Sequence, residues 1–182
     1  METCTFKKKL NTYLRSKFSQ NPWLNSQTDI EFKMEVKRHL RQEGFTDDAS
    51  AYKTVVSWCT SKFTDLRNQL RRRILFEVKG GKDLRKVPIE DFSMLLFKTY
   101  ASLEECHQAS RIHLALIIRS FLHKKKLLVP ETDDLECFQD FWCSFKEYYQ
   151  NTLKETTPES IQTLKEMDAK RVKKYLTRDG SE

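Results

Sequence analysis

The chain has 182 residues, 38% hydrophobic and 32% charged, with a formal net charge of +7. An apolar share of that size, including 12 phenylalanines, can bury a core that offsets chain entropy, which excludes global disorder. Glycine and proline number only four each, too few for the turns of a sandwich or barrel, so the composition points to an all-α fold.

No run reaches the 18 or so apolar residues that span a bilayer. The longest, residues 112–122, is interrupted by His113, Arg119 and Ser120. Residues 1–9 lack the apolar stretch and small-residue cleavage site of a secretory leader. The expectation is an intracellular protein, nuclear or cytoplasmic, with no membrane partner. Five scattered cysteines (Cys4, Cys59, Cys106, Cys137, Cys143) then read as reduced thiols that pack as small hydrophobes.

Phe6, Leu10, Leu14 and Phe18 recur every fourth residue and predict a helix over 5–19, stopped by Asn21-Pro22. Thr28 and Glu31 have capping-box spacing ahead of Phe32, Val36 and Leu40, and Gly44 stands where a left-handed cap belongs. Asp47 or Asp48 opens the strongest periodicity of the chain: Tyr52, Val55, Val56, Cys59, Phe63, Leu66, Leu70 and Ile74, one helix reaching Val78. The double glycine Gly80-Gly81 follows, and the module boundary is expected there, between 1–79 and 82–182.

Beyond it, Pro88 fits the first turn of a helix carrying Ile89, Phe92, Leu96 and Tyr100. Ser102 and Glu105 form a second capping box before Ala109, His113, Leu116, Ile117 and Phe121, and Lys124–Lys126 oppose the helix dipole at its end. Asp133 or Asp134 caps a helix with Leu135, Phe138, Trp142, Phe145 and Tyr149. Thr157-Pro158 opens the last, with Ile161, Leu164, Val172, Tyr175 and Leu176. The expected fold is a bundle of about seven helices.

The charge is uneven. Residues 1–79 hold 16 lysines and arginines against 9 acids, whereas residues 80–182 hold 17 of each. A basic module is the electrostatic footprint of a polyanion binder, because phosphate contacts release condensed counterions. On the long third helix Leu66, Leu70 and Ile74 face inward, which puts Asn68, Arg72 and Gln69 outward and Arg67 and Arg71 on a flank. Arginine reads guanine or clamps phosphate, and asparagine or glutamine reads adenine. The expected nucleic-acid contacts, DNA above all, are Arg67, Asn68, Arg71, Arg72 and Arg73, with Lys7, Lys8 and Lys9 adding phosphate contacts. The alternative is a solvated or protein-binding face on a helical scaffold that touches no nucleic acid. Residues 170–174 also fit the short basic pattern read by nuclear import receptors.

Residues 138–149 are aromatic on more than one side. Phe141, Trp142, Phe145 and Tyr148 are therefore expected to form a partner or homodimer surface, unless the helix is centrally buried. Catalytic and metal motifs are missing: no P-loop, no HExxH, no CxxC. Cys106, His107 and His113 read as core packing, and Glu104 and Glu105 as ordinary first-turn acids. No enzyme activity, cofactor or metal is expected.

Overall fold

The computed structural model describes residues 2–24, 29–45, 48–80, 83–98, 108–128, 140–154 and 158–178. Of these, 84% are helical and none is in a strand, so the fold is all-α as the composition requires. Seven helices occur among the described residues: α1 Glu2–Gln20, α2 Ile30–Gln42, α3 Ala49–Lys79, α4 Ile89–Leu96, α5 Gln108–Lys124, α6 Phe141–Lys154 and α7 Pro158–Arg178.

The helix ends follow local chemistry. α1 stops just before Pro22, with Asn21 N donating to Lys17 O at 2.8 Å. The cap of α2 is Asp29, one residue after the expected Thr28, which lies outside the described residues. Asp29 is extended, and its carboxylate accepts from Phe32 N at 2.7 Å. At the other end of α2, Gly44 takes φ +85°, Gly44 N donates to Arg41 O at 3.0 Å and Phe45 N to Leu40 O at 3.0 Å. That pair of bonds is a Schellman motif, with the glycine at the position a side chain disfavours. Asp48 caps α3 by accepting from Ser50 N and Ala51 N, both at 2.9 Å.

α3 is one helix through Val78 to Lys79, as its periodicity predicts. Pro88 sits at the cap of α4 rather than inside its first turn, and α4 ends at Leu96. The proposed caps at Ser102, Asp133, Asp134 and Thr157, with Tyr100, Leu135 and Phe138, lie outside the described residues. α5 ends at Lys124 with a second Schellman pair: Lys126 N donates to His123 O at 3.1 Å and Leu127 N to Leu122 O at 2.8 Å. Here Lys126 itself takes the left-handed φ of 58°.

The chain packs as two compact units, residues 1–69 and 70–182, so α3 belongs to the first through Gln69 and to the second from Leu70. Of the double glycine, Gly80 follows the end of α3 and Gly81 lies outside the described residues. In the first unit Leu10, Leu14 and Phe18 of α1 are buried with Phe32, Val36 and Leu40 of α2 and Cys59, Phe63 and Leu66 of α3. Phe63 meets Phe18 and Phe32 at ring distances of 6.1 and 6.2 Å.

In the second unit α5 packs against α4, α6 and α7 and is buried nearly all round, from Leu114 through Leu122. That placement encloses a charge. Arg119 is 3% exposed; its Nε donates to Asp168 Oδ1 of α7 at 2.8 Å, Nη2 reaches the other Asp168 oxygen and Nη1 the carbonyl of Val87. The guanidinium also lies 5.1 Å from the ring centroid of Phe92 in α4. One side chain thus ties α5 to α7 and to both sides of the α4 start.

His113 on α5 titrates below the ordinary histidine range, first because burial disfavours its charged form and second because Lys165 is near. Its Nε2 is buried and has no hydrogen-bond partner among the described residues. The unfolded chain binds the proton near pH 6.5, above the folded value. The neutral-ring contribution is therefore complete above about pH 6.5 and is lost as the pH falls toward the folded pKa. Urea unfolding at pH 5 and 7.5 should show wild type losing more stability on acidification than His113→Leu. Equal losses would mean that His113 is not desolvated in the fold.

Candidate nucleic-acid interface

The helical phase of the arginine segment is as its leucines require: Leu66, Leu70 and Ile74 are buried, Gln69 and Arg72 are exposed, and Arg67, Asn68, Arg71 and Arg73 are half-buried. The five candidates divide between the units, Arg67 and Asn68 in the first and Arg71, Arg72 and Arg73 in the second.

Two of them are engaged within their own unit. Arg67 Nη1 donates to the Pro22 carbonyl at 3.0 Å and Nη2 to Thr64 Oγ1 at 3.0 Å, and burial lowers its pKa. Its head group covers the turn after α1. Arg73 Nε donates to the Leu95 carbonyl at 2.8 Å, its Nη2 pairs with Glu77 at 2.6 Å, and its guanidinium lies 5.3 Å from the Phe76 ring centroid. Glu77 is itself buried, so this pair brackets the end of α3 against α4.

The remaining candidates are differently placed. Asn68, Arg71 and Arg72 make no side-chain hydrogen bond or ion pair among the described residues, and Arg72 is exposed. Lys7 and Lys8 on α1 are exposed and unpaired in the same sense, while Lys9 stands 3.9 Å from Glu43. The net charge follows the units less steeply than it follows the double glycine. Residues 1–69 carry 12 bases against 8 acids, and residues 70–182 carry 21 against 18.

The aromatic set of α6 is mostly interior. Phe141 and Phe145 are wholly buried, with Phe121 of α5 at 5.5 and 5.2 Å from their ring centroids. Tyr148 is half-buried, donates its hydroxyl to Ser120 Oγ at 2.8 Å and carries Lys124 over its ring at 5.5 Å. Central burial, the second reason for aromatics on two sides of a helix, accounts for Phe141 and Phe145. Trp142 and Tyr148 keep part of their surface accessible.

Cys59 is buried and its thiol is pushed up to about 12, which makes it inert, whereas Cys143 is exposed. No group of three His, Cys, Asp or Glu among the described residues could hold a metal ion, and no helix there is long and apolar enough to cross a membrane. Cys106, His107, Cys137, Glu104 and Glu105 lie outside the described residues.

Periodicity did not identify two features. Arg119 was visible only as a charge inside an apolar run, a signal that a buried partner must exist. A pocket at the α2–α3 corner, lined by Lys37, Arg41, Phe45, Asp48 and Tyr52, left a weaker trace in the Gly44 turn and the Asp48 cap. Comparison with protein-family models, with curated proteins and with solved structures finds no match for the chain.

Proposed function

We propose that the protein binds the phosphate backbone of a nucleic acid, DNA first among the candidates. The observation that carries this reading is a set of exposed cations, Lys7, Lys8 and Arg72, without an acidic partner among the described residues, on a chain of net charge +7. Solvated cations of this kind replace condensed counterions at little structural cost. Arg67 and Arg73 are engaged each within its own unit, at the turn after α1 and at the end of α3. Asn68 and Arg71 remain available for base or phosphate contacts.

The reading makes Arg72 and Arg73 separable. Arg72→Gln should lower the slope of log affinity against log salt by about 0.9 on duplex DNA, with an unchanged urea midpoint. Lys7→Gln with Lys8→Gln should lower it by up to about 1.8. Arg73→Gln should lower the urea midpoint instead. Unchanged slopes in both sets of surface variants would remove these residues from any contact surface.

A helical protein-interaction module is the second reading, favoured by Phe76 and Met94, which are 65% and 64% exposed. They bracket Arg73, which packs on the Phe76 ring and bonds the carbonyl of Leu95, next to Met94. A concentration-dependent mass in light scattering, abolished by Phe76→Ser, would favour this reading.

A further inference from the structure

Residues 80–182 hold 17 bases and 17 acids, but the fold does not mix them evenly. Segment 169–177 of α7 contains Lys170, Arg171, Lys173 and Lys174 and no acid. At about 100° per residue the four cations share an arc of about 160° on one side of the helix. Lys170, Lys173 and Lys174 are exposed, Arg171 is half-buried, and none of the four makes a hydrogen bond or ion pair among the described residues. Arg171 lies at the inner edge of the arc, one turn before Tyr175, which meets the end of α5: the Tyr175 hydroxyl and His123 Nε2 are 3.4 Å apart. Arg85 lies 4.7 Å from the centroid of the same tyrosine ring. Of the acids at this end, Asp83 pairs with Arg85 and Lys86, and Asp168 pairs with Arg119. Glu166, one turn before Lys170, accepts from Gln162. His123 titrates below the ordinary histidine range, first through burial and then through Arg171, with Asp168 opposing and Arg85 adding.

We infer that this end of the second unit is a further phosphate-binding surface, in which Lys170, Arg171, Lys173 and Lys174 contact the backbone of a nucleic acid and His123 adds a fifth cation when protonated. Cations without acidic partners replace condensed counterions with no ion pair to break. A lipid surface is the poorer occupant. The large apolar residues exposed on α7, Met167 and Leu176, are nine residues apart and stand on opposite sides of the helix, which leaves no apolar stripe to insert. His123 makes the surface pH-dependent. Its imidazolium is opposed by Arg171 and Arg85 and favoured by Asp168, and Tyr175 faces it with a neutral hydroxyl. A phosphate brought beside it favours the charged ring. Binding therefore takes up a proton and tightens as the pH falls. The inference rests on the nucleic-acid reading given above and adds to it a second contact surface and its pH dependence.

The test is a salt titration of the intact chain on duplex DNA at about pH 7.5 and about pH 5.5, on either side of the ordinary histidine pKa. Lys170→Gln, Lys173→Gln and Lys174→Gln together should lower the slope of log affinity against log salt by up to about 2.7, with an unchanged urea midpoint. Lys170→Arg, Lys173→Arg and Lys174→Arg together keep the charge and should keep the slope. His123→Gln retains an acceptor for the Tyr175 hydroxyl but cannot take up a proton, so it should gain less affinity than wild type between the two pH values. Equal gains overturn the role of His123. A wild-type slope in the triple glutamine variant overturns the surface, while a lowered slope in the Lys7, Lys8 and Arg72 variants leaves the nucleic-acid reading standing. Loss in that triple variant of binding to vesicles of phosphatidylcholine and phosphatidylserine, with the duplex slope unchanged, gives the surface to lipid and overturns it as well. If the wild-type chain binds duplex DNA no better than an equally basic control, both proposals fall together.

Discussion

Arg119→Ala should destabilise the protein by about 3–5 kcal/mol, the cost of stranding the partner of a buried ion pair. The substitution removes three hydrogen bonds at once, two to Asp168 and one to the Val87 carbonyl, and the packing of the guanidinium on Phe92. Asp168 would remain buried on α7 with its charge uncompensated. Asp168→Ala should cost a similar amount, because the guanidinium then keeps only the carbonyl and the ring. The pair as a whole is a different matter. Arg119→Met combined with Asp168→Leu exchanges two desolvated charges for apolar volume and should recover most of the loss, as buried pairs replaced in concert commonly do. Urea unfolding of the wild type, Arg119→Ala, Asp168→Ala and the variant carrying both alanines completes a double-mutant cycle with a large coupling energy. Additive single-site losses would mean that Arg119 and Asp168 do not form the pair.

Phe145→Ala should cost about 3–5 kcal/mol, the range for truncating a fully buried phenylalanine. The ring lies within 5.2–6.1 Å, centroid to centroid, of Phe121, Phe141, Trp142 and Tyr149, so the void opens where α5 meets α6. Part of the loss exceeds area burial, because such ring pairs carry a quadrupole attraction of their own. A lowered urea midpoint at an unchanged light-scattering mass is the expected result. Normal stability with loss of a dimer would instead give Phe145 to an interface between chains.

These two residues show what a sequence of this kind discloses and what it withholds. The phase of α3 was legible because Leu66, Leu70 and Ile74 repeat at fixed spacing, and that phase alone placed Arg72 and Gln69 outward. The turn at Gly44 was legible because a left-handed residue after an apolar helix favours glycine. The fate of the arginines was not. Arg67 bonds a carbonyl 45 residues away and Arg73 one 22 residues away, and no local pattern encodes a contact of that range. A long flexible side chain on a helix flank can turn to solvent or to a neighbouring turn with the same local sequence. The aromatic density of α6 was equally ambiguous. It fits an exposed surface or a helix buried on two sides, and the packing of Phe141 and Phe145 against Phe121 selects the second for those rings. Arg119 is the inverse case: the charge stood out within its apolar run, but its partner lies 49 residues on.

The role of the exposed cations is most directly tested by one salt titration of the intact chain on duplex DNA, with a helical protein of equal net charge as control. Binding through Lys7, Lys8 and Arg72 predicts a linear fall of log affinity with log salt. Its slope should reflect at least three phosphate contacts, near −2.7 or steeper at about 0.9 per contact, and exceed that of the control. Affinity indistinguishable from the control at every salt concentration would contradict it and leave the arginine segment a structural feature of α3.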